Sequence, residues 1–328
     1  MFSLSRPRRS VLASLGLAAS LPGLALAQPA TAFPDKPIKF LVGFSAGGGA
    51  DAVARLIATK MATVLGQPIV VDNRSGAGGA IAAEAVAKST PDGSTWLLVP
   101  SGHATQAVLR KSLPFHPVRD FTWVSTITTY PMLIGVRPDS PYKTFADVLK
   151  AAKQGAGTVS YSSAGVGTGH HLLGEWLNAE GNVAMTHVPF KGGAPALNEI
   201  VAGRVDLYIE TMTLALSKVQ SGQIRALAVS SAQPFPLLPS VPTLSATLPA
   251  VQYESWLGIS VAPNTPSVIV NRINAELRKV LAQSEVQQKL AELGGQAAGS
   301  TPEQFREQVE RDITKFGAIV ETRKIERE

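Results

Sequence analysis

Two stretches of the chain place glycine and small polar residues between an apolar run and a helical pattern. Ser45-Ala46-Gly47-Gly48-Gly49-Ala50-Asp51 follows a run ending at Phe44. Ser163-Ala164-Gly165-Val166-Gly167-Thr168-Gly169-His170 follows a run ending near Ser162. The first turn of a helix has unpaired N–H groups and the positive end of its dipole. Glycine removes the Cβ that would keep a ligand off the main chain. Each loop can therefore take an anion with backbone alone, and two of them could hold one anion across a cleft. The plain alternative is that the glycines only make tight turns; the same design at two distant places favours the anion site. Arg74-Ser75-Gly76-Ala77-Gly78-Gly79 resembles them and serves equally well as a mere helix start.

Other chemistries fit less well. Gly43-Phe44-Ser45-Ala46-Gly47 matches the G-x-S-x-G nucleophile elbow. That fold places several strands before its elbow, whereas here the elbow follows the first one. Its triad also needs a downstream acid and then a histidine; the histidines are His103, His116, His170, His171 and His187. Gly165, Gly167 and Gly169 do not make G-x-G-x-x-G, and neither loop runs into Gly-Lys-Ser/Thr, so a nucleotide site is not supported. His170 and His171 are adjacent and diverge by about 100° on a helix. With H-E-x-x-H missing and no cysteine in the chain, metal centres, disulfides and thiol nucleophiles drop out. No metal and no cofactor is expected.

The elements that must position these loops alternate. Strands are expected over 38–44, 68–72, 95–99, 123–127, 132–136, 159–162, 187–190, 205–209, 224–230 and 258–262, with helices between many of them. Val53, Leu56, Ile57, Met61 and Val64 share one helical face, as do Leu173, Trp176 and Leu177. That alternation reads as parallel sheets covered by helices, with ligand loops at the carboxyl ends of strands. The last third is purely helical. Ile269, Ile273, Leu277, Val280 and Leu281 form one stripe, and Phe305, Val309, Ile313, Phe316 and Val320 another. Thr301-Pro302-Glu303-Gln304 opens the final helix with a capping box and a proline. The mixed-charge end 323–328 reads as a solvated tail. Trp96, Trp123, Trp176 and Trp256 read as core or hinge residues.

The chain has 328 residues, 45% of them apolar and 16% charged, enough for two α/β lobes and wrong for disorder. Arg6, Arg8 and Arg9, the apolar run 11–21 and Ala25-Leu26-Ala27 make a secretory leader with cleavage expected after Ala27. Arg8-Arg9 also suits twin-arginine export. The leader holds three arginines and no acid, so its loss lowers the net charge from +6 to +3. No basic stripe with aromatics remains, and nucleic acid is not an expected partner.

At this point the chain resembles the Bug family, the periplasmic solute-binding proteins of tripartite tricarboxylate transporters. The resemblance rests on ordered blocks: Phe33-Pro34-Asp35-Lys36-Pro37, Gly43 to Asp51, Val71-Asp72-Asn73-Arg74-Ser75-Gly76, Pro91-Asp92-Gly93, Tyr161 to Leu172, His187-Val188-Pro189-Phe190-Lys191-Gly192-Gly193, Leu238-Pro239-Ser240-Val241-Pro242-Thr243 and Trp256-Leu257-Gly258. It implies an α/β, two-lobed type II periplasmic-binding-protein fold with parallel-rich sheets flanked by helices and the C-terminal helices packed on lobe 1. Residues 1–27 would be the signal peptide, 28–132 plus 256–328 lobe 1, and 133–255 lobe 2, with hinges near 130–136 and 253–260. It implies a periplasmic receptor, not an enzyme, that reversibly captures a small organic acid in the cleft between the lobes. The acid would pass to the membrane permease of a tripartite transporter. The grip would come from Phe44, Ser45, Ala46, Gly47, Gly48, Gly49 and Asp51 on one side. Ser163, Ala164, Gly165, Val166, Gly167, Thr168, Gly169 and His170 would face them. Arg74, Lys191, Gly192 and Glu210 are further candidates for the cleft. A clamp of this kind is expected to work as a monomer. The alternatives are a ligand-sensing receptor for a sensor kinase and a secreted serine hydrolase using Ser45. The family's first loop often reads Pro-Phe-Ala-Ala-Gly-Gly-Pro-Thr-Asp. Here Gly43, Ser45, Gly49 and Ala50 depart from it, which loosens the loop and removes a hydroxyl donor.

Overall fold

In the computed structural model, residues 1–3 and 33–328 are described. The body of the leader and its cleavage point lie outside the described residues. β1 (Ile38–Val42) buries every residue but Lys39. It runs through the first glycine loop into α1 (Gly49–Leu65). Val53, Ile57 and Met61 of α1 point inward at the spacing read from the sequence, Leu65 joins them, and Leu56 and Val64 are only half-buried at the edge of that face. The helix stops at Gly66, which is left-handed and returns its N–H to Ala62 O.

β2 (Ile69–Asn73), α2 (Ala80–Ala87), β3 (Thr95–Pro100) and α3 (Gly102–Leu109) complete the first half. β4 (Thr122–Val136) then crosses into the second half, which holds α4 (Phe145–Ala152), β5 (Ser160–Ser163), α5 (Gly169–Gly181), β6 (Thr186–Pro189), α6 (Gly193–Val201), β7 (Leu207–Thr211), α7 (Met212–Gln220) and β8 (Arg225–Val229). β9 (Glu254–Val261) returns to the first half. α8 (Ser267–Leu281), α9 (Ser284–Glu292), β10 (Gln296–Ala297) and α10 (Pro302–Thr322) follow.

The sheet runs β2-β1-β3-β9-β4-β7-β5-β6, with β8 and β10 also paired to β4. Its flanks are parallel and its centre antiparallel. The two strands expected over 123–127 and 132–136 are one strand. Thr128, Thr129, Tyr130 and Pro131 stay paired to β9, and two register shifts let the strand bend without breaking. Pro131 lies at the end of the β9 pairing, opposite Glu254, just before β4 takes up β7 at Met132, so the interruption falls at a change of partner.

Register explains where a site must form. Pro100, at the end of β3, lies opposite Leu257 of β9, which lies opposite Thr128 of β4. Thr211, at the end of β7, lies opposite Met132 of β4. The strands of the two halves therefore run toward each other. Their carboxyl ends meet over four residues of β4, a span of about 13 Å.

α8 and α9 cover the first half. α10 starts there too, with Phe305 and Val309 packed on Trp123 and Trp256. It then continues over the second core, where Phe316 stacks on Tyr253 at 5.4 Å and Val320 is buried. Its capping box forms as read, with Thr301 and Gln304 bonded reciprocally. The end of the chain is docked rather than solvated. Ile325 is buried, Glu328 N–H donates to Leu109 O at 2.8 Å, and Lys111 N–H donates to Glu328 O at 2.7 Å. An apolar residue amid the charges supplies the anchor. All four tryptophans are buried.

Candidate ligand-binding site

A cavity lies where the strand ends meet. Five helices begin at its wall. Gly48 and Gly49 open α1, Ser101 and Gly102 open α3, Thr168 and Gly169 open α5, Gly193 opens α6, and Thr211 precedes α7. Each helix follows a strand whose carboxyl end points to the seam. Their dipoles make the wall positive without any cation. The only ionisable side chains in the lining, besides Tyr130, are His170 and Glu210. Tyr130, Met132, Ser255 and Leu257, from β4 and β9, complete it.

The two glycine loops have the same backbone. Gly47 and Gly167 both sit at φ +80, a conformation that glycine alone adopts freely. The glycines at the helix starts have a different reason. A Cβ on Gly49 would lie 2.1 Å from Thr213 Oγ1, and one on Gly169 would lie 2.2 Å from the Tyr253 hydroxyl. Close packing, and not ligand access alone, demands glycine there.

Of the residues read from the sequence, the structure brings Phe44, Gly48, Gly49, Ala164, Thr168, Gly169, His170 and Glu210 to the cavity wall. The others sit elsewhere. Asp51 is buried behind the first loop. Its Oδ2 accepts from Gly47 N–H at 3.0 Å and Arg55 Nε at 2.9 Å, and its Oδ1 accepts from Asn73 Nδ2 at 3.0 Å. Burial acts to raise the pKa of Asp51, but its hydrogen bonds and the Arg55 charge outweigh that and hold it below the usual value. Asp51 thus shapes the loop. Ala46 and Gly47 are exposed. Arg74 is half exposed and pairs with Asp72 at 2.9 Å. Gly165, Val166 and Lys191 line an outer groove with Gly78 and Arg110. Gly192 backs onto Ser45, its Cβ position being 2.7 Å from Ser45 Oγ. Ser163 Oγ bonds His187 Nε2 at 2.6 Å and Gly165 N–H at 3.1 Å, outside the cavity lining.

Ser45 Oγ is buried and has no hydrogen-bond partner among the described residues. A serine nucleophile needs a base within reach, and none stands beside Ser45. Ser163 has its histidine, but Ser163 is 1% exposed and burial pushes the His187 pKa down to about 3. His171, His187 and Glu328 bring one possible metal-ligand atom each within 4.8 Å of one another. The His171 and His187 rings are stacked at 4.1 Å with 13° between planes. Their lone pairs therefore run side by side instead of converging, which does not suit one ion.

Sequence reading missed Ser101 and Gly102. Pro100-Ser101-Gly102 is the same strand, glycine, helix-start pattern with a single glycine, and that was its signal. It also missed the floor. Ser101 Oγ lies 2.8 Å from Ser255 Oγ and 3.1 Å from the Tyr253 hydroxyl, tying the start of α3 to the returning chain. Such pairings link residues more than 150 apart in sequence and leave no local pattern.

Two α/β halves joined through one continuous strand, with helix tips around a cavity at the seam, define a solute-binding receptor of the periplasmic-binding class. The family model described as tripartite tricarboxylate transporter family receptor matches residues 53–325. The UPF0065 protein in the tcbD-tcbE intergenic region of Pseudomonas sp. (strain P51) is 40% identical over 298 residues, 90% of this chain and 88% of that protein. The periplasmic binding protein BugD superposes with a TM-score of 0.86 at 30% identity, covering 90% of this chain and all of the other. R. palustris Rpa4515, solved with adipate, superposes with a TM-score of 0.87 at 33% identity, again over 90% of this chain and all of that one. The chain belongs to the tripartite tricarboxylate transporter receptor family, and its fold is that of the Bug proteins.

Proposed function

We propose that this protein captures a small organic acid reversibly in the seam cavity, in the periplasm, and passes it to the permease of a tripartite transporter. One observation carries the reading: five helix N-termini converge on a cavity whose lining contains no lysine or arginine. A carboxylate held there would be bound by main-chain N–H groups. Micromolar affinity corresponds to about −8.2 kcal/mol. A hydrogen bond to a charged group contributes roughly 1.5–3 kcal/mol. Four or five strong ones, at about 3 kcal/mol each, reach that value against an association cost of about 4 kcal/mol. The adipate complex of Rpa4515 supports an acid as the ligand class.

The lobes would be 28–132 plus 256–328 and 133–255, moving about β4 and the return near Tyr253. Closing them removes water and strengthens each bond to the anion. The leader over 1–27 would deliver the chain to the periplasm. The test is a thermal-shift and calorimetric screen of organic acids on the chain starting at Gln28. A ligand at 100 times its dissociation constant stabilises by about 2.7 kcal/mol. Silence across mono-, di- and tricarboxylates would end this reading. Co-purification of the loaded receptor with its permease tests delivery.

A further inference from the structure

We propose that Glu210 and His170 form a second subsite, at the tips of α5, α6 and α7, that selects acids carrying an ammonium group at the end remote from the carboxylate. This rests on the receptor reading above and names the chemistry of the other half of the ligand.

Glu210 is 3% exposed and stands at the end of β7, on the cavity wall. Its Oε1 is saturated, accepting from Thr211 N–H at 2.7 Å, Thr211 Oγ1 at 2.8 Å and His170 Nε2 at 3.1 Å. Its Oε2 is buried without a partner, and so is His170 Nδ1. A buried carboxylate oxygen left unpaired is costly, and native structures rarely keep one without a use. With Nε2–H donated to Glu210, the tautomer that leaves Nδ1 without a hydrogen presents it as an acceptor. Two residues of the wall thus each carry a buried acceptor atom without a partner.

Room for them is built in. A Cβ on Gly193 would fall 1.9 Å from Glu210 Oε2, so this helix start must be glycine for the carboxylate to fit. Among the described residues, His170 is the one basic group paired with Glu210; no lysine or arginine is. The Tyr208 hydroxyl, two residues back on the same strand face, lies within hydrogen-bonding reach of the Glu210 carboxylate but is not aligned for a well-formed bond, so it leaves room for a better donor. Tyr130 faces the same charge. No lysine or arginine in the wall neutralises Glu210. A primary ammonium brings three N–H donors and a positive charge to this point. A second ligand carboxylate would bring more acceptors and a like charge.

The experiment compares ligands that share a polymethylene spine and differ only at the far end: ω-amino acids, ω-methyl monoacids and α,ω-diacids, with two to five methylenes. Binding to the chain starting at Gln28 is measured by calorimetry. The amino acid of the best-fitting length is expected to bind at least tenfold more tightly than its methyl and carboxylate counterparts. Glu210→Gln is expected to cut that preference at least tenfold. Diacids winning at every length, or a preference untouched in Glu210→Gln, would overturn the subsite while the receptor reading stands. If no acid of any series binds, the receptor reading itself fails. Should Glu210→Gln not fold, the wild-type ranking alone decides.

Discussion

Ser45 on the first glycine loop donates its main-chain N–H to the carbonyl of Lys191, on the loop after β6, at 3.1 Å. The bond spans the seam between the halves. Thr105 Oγ1 makes a second such bond, to Gly167 O. Gly78 makes a third contact, against Val166. The loops that wall the cavity thus hold one another, which is what a clamp around a ligand requires.

Gly78 sits at φ +66, and a Cβ there would lie 2.5 Å from Val166 O. Gly78→Val should keep the halves apart. We expect at least a tenfold loss of affinity for whichever acid binds best, and a wider particle by small-angle scattering in its presence. The left-handed backbone adds about 1–2 kcal/mol of destabilisation. Wild-type affinity in this variant would show that the third loop has no part in closure.

Asp51→Ala strands Gly47 N–H and Asn73 Nδ2 and frees the first loop. A loss of about 2–3 kcal/mol at pH 7 is expected by denaturant unfolding, since bonds to a charged group are involved. The folded-state pKa of Asp51 lies below its ordinary value of 3.8. Its contribution is therefore present above pH 3.8 and is lost as pH falls through the lower, folded value. The gap between wild type and Asp51→Ala should hold from pH 7 to about 5 and narrow below 3.8. A gap that stays constant to pH 2.5 would show that the charge plays no part.

Two histidines should set the acid limb of stability. Burial pushes the His103 pKa down to about 4, against the Pro117 carbonyl that accepts from its ring at 2.7 Å. Burial and the neighbouring His171 and His170 push His187 down to about 3. Both stay neutral in the folded protein while the unfolded chain takes up protons below 6.5. Stability should thus fall from pH 6.5 downward, by roughly 2 kcal/mol at pH 5 for His103 and by less for the partly exposed His187, whose charge solvent screens. Replacing His187 by Gln, which does not titrate, should flatten that slope. An unchanged slope would assign the limb to other groups.

Ser45→Ala tests the hydrolase alternative directly. The hydroxyl has no partner to lose, so stability should change by less than about 0.5 kcal/mol. A fluorophosphonate should label neither protein. Labelling of the wild type that disappears in Ser45→Ala would make the elbow a real nucleophile.

Most elements were legible because their signals are local. Val53, Ile57 and Met61 announce the buried face of α1 by spacing alone, and Thr301-Pro302-Glu303-Gln304 announces the start of α10. The strand, glycine, helix-start pattern led to Gly48, Gly49, Thr168 and Gly169 because a helix N-terminus carries its chemistry in its own backbone. The same pattern with one glycine, at Ser101-Gly102, was too short to stand out.

Local patterning determined the alternation of strands and helices and the positions of the two main loops. Tertiary structure alone decided that β4 runs unbroken through Pro131, since only the partners on either side hold its register. It alone brought Glu210 beside His170, turned Asp51 away from the cavity, and docked Glu328 on the end of α3. Those outcomes depend on which distant groups fill the space around a side chain. Spacing along the chain carries no record of that.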